Sequence, residues 1–139
     1  MACTAQQEEW TVDITNDRTG DIIRIIFCLG FDHGQVSGFV FDEFGEPFPG
    51  DNSVKGFRVF TPQPPRGFMS LDFRWDKFEV GIRILMVGRI FVDEDGLTKF
   101  DGRFIAVPAP IGSVASSRSG KLLVNPDVGD TGTGNGTQT

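Results

Sequence analysis

An all-β fold, an antiparallel meander β-barrel of about eight strands around an apolar internal cavity, follows from three features of this sequence. Apolar residues recur at every second position over short runs, as in Trp10, Val12 and Ile14, or Met69, Leu71, Phe73 and Trp75. Glycine sits inside several such runs: Gly38 in VSGFVF, Gly56 in VKGFRVF, Gly88 in MVGRIFV and Gly102 in FDGRFIAV. A strand glycine marks a bulge, a bend or a close approach of backbones. Repeated bends close a sheet on itself, which favours a barrel over a sandwich. Finally, 18 Gly and 8 Pro leave no amphipathic helix of useful length.

The elements follow in order. Residues 1–8 read as a polar tail. EWTVDIT, from Glu9 to Thr15, alternates as a half-buried strand, and NDRTGD turns the chain. IIRIIFCL, from Ile22 to Leu29, is rich in β-branched residues and predicts a buried strand. Asp32–Gly34 is a turn into the strand Gln35–Asp42. Gly45, Pro47, Pro49 and Gly50 punctuate a connection to the strand around Val54–Phe60.

TPQPPRG, from Thr61 to Gly67, predicts a loop, because its prolines cannot donate to a ladder. In Phe68–Trp75 the charges share one face, so Met69, Leu71, Phe73 and Trp75 point inward. Phe78–Val92 is one bent strand or two, with Ile82, Ile84, Met86, Gly88 and Ile90 inward. DEDG at Asp93–Gly96 is a hairpin tip, and Lys99–Val107 places Phe100, Gly102, Phe104 and Ala106 together. The barrel domain is thus expected over 9–112. Residues 113–139, rich in Gly and Thr, read as a largely disordered tail with a candidate edge strand at 121–124.

Composition narrows the function. A chain of 139 residues is one domain. Its 14 Phe and 2 Trp without any Tyr supply apolar faces and few hydroxyls. A net charge of −6 argues against nucleic acid and against anionic membranes. Without a secretory apolar segment or a run of ~18 apolar residues, a soluble cytosolic protein is expected. Cys3 and Cys28 read as a tail thiol and a small buried residue, with a disulfide as the alternative.

Familiar catalytic sets are absent from the pattern. The one histidine, His33, lies in a turn and supports no nucleophile–base pair. No Cys/His spacing suits zinc, the DEDG segment lacks the alternating ligands of a calcium loop, and no glycine loop precedes a helix. No cofactor is therefore expected. Arg58 is the most informative polar residue. It shares a face with Val54, Gly56 and Phe60, while Phe57 and Val59 take the other, and the pattern leaves open which face is inward. Asp42, Glu43 and Glu46 cluster at the rim.

One resemblance rests on Asp42, Glu43 and Gly45, then Gly56, Phe57 and Arg58, then the loop Pro62–Gly67. Over roughly Gly34 to Gly112 the chain resembles the allene-oxide-cyclase and dirigent type of barrel. Within that group it is most similar to the small bacterial spirotetronate-type [4+2] polyketide cyclases. It departs from them in having no Tyr and in its residues after Gly112. The resemblance implies a cofactor-free cyclase that folds a linear polyketide-type substrate into a near-attack geometry. That effect can lower a barrier by up to ~7–11 kcal/mol.

Phe60, Met69, Leu71, Phe73, Trp75, Ile84, Met86 and Phe104 would then line the cavity, and Arg58 would donate to a substrate carbonyl. The alternatives are a non-catalytic, lipocalin-like or avidin-like protein for a hydrophobic small molecule, and a barrel packed solid. A homodimer is compatible with any of them.

Overall fold

Eight antiparallel strands close into one barrel in sequence order, with β8 returning to pair with β1. They are β1 Glu8–Asn16, β2 Ile22–Asp32, β3 Gln35–Asp42, β4 Ser53–Pro62, β5 Pro65–Arg74, β6 Ile82–Val92, β7 Thr98–Pro108 and β8 Thr131–Gln138. A single helical turn, α1 Lys121–Val124, precedes β8. This computed structural model describes residues 3–63, 65–77, 80–111 and 120–139. Pro64 of the expected loop, Phe78 and Glu79 at the start of the expected run Phe78–Val92, Gly112 at the end of the expected barrel span and residues 113–119 of the expected tail lie outside that set.

The alternation read from β1, β5, β6 and β7 is the alternation observed. Trp10, Val12 and Ile14 point inward, as do Met69, Leu71 and Phe73, then Ile82, Ile84, Met86 and Ile90, then Phe100, Phe104 and Ala106. Their outward neighbours carry cross-strand ion pairs such as Arg24–Asp13 at 2.9 Å and Arg83–Asp72 at 2.7 Å. Between those ion pairs the outer face also exposes large apolar side chains, among them Phe57, Val59, Phe68 and Val87. Among the described residues no helix is long and apolar enough to cross a membrane.

Glycines on the inner wall let the barrel close. A Cβ at Gly56 would lie 1.8 Å from the Ser70 carbonyl oxygen, so only glycine permits that approach of β4 to β5. On β8 the inward positions are Gly132, Gly134 and Gly136. A Cβ at Gly132 would meet Phe104 Cε1 at 2.5 Å, and one at Gly134 would meet Met86 Sδ at 2.4 Å. Large residues from the neighbouring strands β7 and β6 thus occupy the volume that β8 leaves free.

Several expectations are corrected. Within the span read as a disordered tail, Thr131–Gln138 is a barrel strand held by ladders to β1 and β7, so the barrel runs from Glu8 to Gln138 rather than over 9–112. Backbone pairing and packed neighbours override a composition without large apolar residues. Residues 121–124 form a helical turn, not an edge strand, and the closed barrel has no edge for them to join. The predicted loop at 61–67 is in large part paired strand, since β4 and β5 pair as far as Pro62 and Pro65.

Cys3 and Cys28 are joined, with Cα atoms 5.2 Å apart. Cys28 lies on the outward face of β2, between inward Phe27 and Leu29, and the N-terminal segment folds back over it.

Candidate functional site

The barrel has two mouths, and they are closed differently. At the first mouth, β1 begins and β4 ends. Arg58 has the inward parity of Val54 and Gly56, which resolves the ambiguity of its strand. Its side chain is 21% exposed and its Nη1 donates to Glu8 Oε1 at 3.1 Å and Oε2 at 3.3 Å. The guanidinium lies 3.3 Å from the Phe31 ring centroid and 5.8 Å from that of Phe60. Trp10 Nε1 also donates to Glu8 Oε1, at 3.1 Å. Glu8 therefore gathers both donors, and the expected carbonyl donor already has a carboxylate acceptor.

The residues expected to line an internal cavity are packed on one another. Met69, Leu71, Phe73, Trp75, Ile84, Met86 and Phe104 all belong to one continuous buried core with Trp10, Phe27 and Phe100. Phe27 and Phe73 meet edge to face at 5.2 Å, the geometry favoured by ring quadrupoles. An eight-stranded barrel is just wide enough for side chains to fill, which is why these residues occupy the axis themselves. Phe60 stands apart, 39% exposed at the Arg58 mouth. Arg58 pairs in register with Met69, and Trp75 lies six residues further along, roughly 20 Å away at ~3.3 Å per residue. The proposed donor and most of its aromatic partners are thus at opposite ends.

The large cavity lies at the second mouth and opens on the flank of β2. Its volume is about 910 Å³. Four separate segments build it: Asp13 on β1, Ile22–Ile25 at the start of β2, the connection from Asp42 to Pro49, and Lys121 and Leu122 of α1. A turn shapes the third segment. Asp42 Oδ1 accepts the Phe44 and Glu46 N–H groups at 2.9 and 3.0 Å, and Gly45 takes a φ of 83° that disfavours any side chain. This turn projects Phe44 into solvent, 83% exposed, and turns Phe48 inward.

Phe48 is the partition between cavity and core. It lines the pocket and packs edge to face on Trp75 at 4.9 Å and on Phe73 at 6.4 Å. Two of the sequence-predicted lining residues therefore sit one ring behind the actual cavity. Phe73 also borders a second cavity of about 120 Å³, with Asp51, Lys55, Asp72, Arg74 and Arg83.

A polar clamp fixes α1 and the start of β8 against the β1–β2 turn. Asp130, 7% exposed, accepts from Asn16 Nδ2 at 2.9 Å, Arg18 Nε at 2.8 Å and the Asp127 N–H at 2.7 Å. The Arg18 hydrogen bond is the main reason its carboxyl falls from 3.8 to about 2, with Asn16 adding to it against the cost of burial. Arg18 Nη2 also donates to the Val124 carbonyl at 2.7 Å, and Asn125 Nδ2 to Asp21 at 2.6 Å. These bonds hold α1 where Leu122 can wall the cavity.

Elsewhere, His33 is a solvated turn residue with a φ of 51°, as its DHG context predicted. Among the described residues no group of three or more His, Cys, Asp or Glu side chains could hold a metal ion. What the second mouth can do is bind: it has volume, an apolar floor and a carboxylate rim, with Asp42 held in its own turn. Sequence reasoning placed Asp42, Glu43 and Glu46 at a rim but missed Ile22, Phe48 and Leu122. Only Phe48, an aromatic flanked by two prolines in a turn, carried a local signal. No protein-family model matches this chain, and no curated protein matches it significantly.

Proposed function

We propose that this barrel binds a hydrophobic small molecule in the flank cavity at its second mouth. The cavity of about 910 Å³ carries this reading, since ligand sites span roughly 300–1,000 Å³. Ile22, Ile23, Phe44, Phe48 and Leu122 supply the apolar walls. The core behind them supplies rigidity. The test is titration with the neutral apolar fluorophore N-phenyl-1-naphthylamine. Saturable binding is expected, weakened about fivefold, or ~1 kcal/mol, by Phe44→Ser. An exposed residue can be changed there without unfolding the barrel, so linear, unsaturable fluorescence from a folded protein contradicts the proposal.

The [4+2] ring closure that the resemblance implies would have to use this same cavity, because the axis is occupied by side chains. Incubation with a linear polyene tetronate tests it, and product forming no faster than in buffer rejects it while leaving binding intact. The Cys3–Cys28 bond bears on location. Disulfides persist where thiols are oxidised, which argues for an oxidising compartment over the cytosol expected from the sequence.

A further inference from the structure

The flank cavity has a sign as well as a volume. Resting on the binding role of that cavity, we infer that its ligand is an amphiphile with an apolar body and a cationic amine or quaternary ammonium group. The charged lining residues are Asp13, Asp42, Glu43 and Glu46 against Arg24 and Lys121. Arg24 is committed to Asp13, with Nε–Oδ1 at 2.9 Å and Nη2–Oδ2 at 3.2 Å, so that pair is internally neutral. Lys121 Nζ reaches only the Ile22 carbonyl, at 3.5 Å, among the described residues. Among the described residues Glu46 makes no ion pair, and Glu43 has none in direct contact, being felt only at a distance by Arg24, whose hydrogen-bonded partner is Asp13. The carboxylates left over outnumber the one remaining ammonium.

Beside them stands the exposed ring of Phe44, whose face attracts a cation within about 6 Å. The floor of Ile25 and Phe48 is buried and apolar. A ligand lying with its hydrocarbon on that floor would bring its head group out to Phe44, Glu43 and Glu46. A carboxylate or sulfate head in the same pose would meet like charge.

The experiment compares ligands of one chain length. Dodecyltrimethylammonium, dodecanol and dodecyl sulfate, each below its micelle concentration, displace N-phenyl-1-naphthylamine from the intact protein. The expected order of affinity is cation, then alcohol, then anion. The cation should bind about three- to tenfold tighter than the alcohol at low salt. Glu43→Gln combined with Glu46→Gln should remove most of that gap, weakening the cation by a larger factor than dodecanol. Equal affinities, an anion that binds best, or a gap unmoved by the double substitution would overturn the charge assignment. Those results would still leave the cavity as an apolar site, whereas failure of the neutral fluorophore itself would overturn the binding role.

Discussion

The two mouths of the barrel are made from similar residue types and come to opposite ends. At the first, Glu8 accepts from Arg58 and Trp10, and Phe31 covers the guanidinium. The charged and indole groups there satisfy one another within the chain. At the second, a turn and a helical turn stand apart from β2, so an apolar floor and two carboxylates remain available. The difference shows that an aromatic-lined barrel need not carry its guest on the axis. Where inward side chains fill the bore, a site arises where connections leave it.

The largest expected effect comes from the partition. Phe48→Ala removes a ring packed on Trp75 and Phe73, which should cost about 3–5 kcal/mol in urea denaturation. It would also join the flank cavity to the core. Tighter probe binding beside lower stability sharpens the contrast between the mouths, whereas unchanged stability would show that Phe48 is not a wall.

Next is the tether at the first mouth. The Cys3–Cys28 bond joins residues 25 apart in sequence, for which chain entropy gives about 3.5 kcal/mol. Reduction should lower the thermal midpoint and leave probe affinity at the second mouth unaltered. A large loss of affinity on reduction would mean that the two ends are coupled.

The third test is acid. Asp130 titrates near 2 in the fold against 3.8 when free, so its stabilisation is complete above about pH 4 and disappears as the pH falls toward 2. The upper figure is about 2 kcal/mol, reduced by solvent at the half-exposed Arg18. Asp130→Asn should be less stable at pH 7, flatten the stability profile between pH 4 and 2, and loosen the probe as α1 shifts. A profile identical to that of the parent protein would remove Asp130 from the clamp.

The smallest effect is expected at Arg58. Arg58→Met keeps the stem but loses the partly exposed ion pair, at roughly 1 kcal/mol. Probe affinity should not change. A drop in affinity with stability intact would move the guest to the first mouth.

How much was legible follows from where the signal resided. Strands β5, β6 and β7 could be read to the correct face because charges mark one parity and large apolar residues the other. Strand β4 could not, since Phe57 faces out and Phe60 shares the inward parity, which makes the two faces look alike. β8 was missed because glycine carries no hydrophobic signal, although Gly132, Gly134 and Gly136 alternate with Thr and Asn at period two. The pairing of Cys3 with Cys28 needed the fold-back of the N-terminal segment over β2. The cavity needed four segments separated in sequence to meet, which no local pattern records.

Amide chemical-shift mapping of the protein titrated with N-phenyl-1-naphthylamine addresses the central claim most directly. Shifts concentrated at Ile22–Ile25, Phe44, Phe48 and Leu122 are the predicted result. Shifts centred instead on Arg58, Met69, Leu71 and Met86 would place the guest inside the bore or at the other mouth, and would contradict binding on the flank.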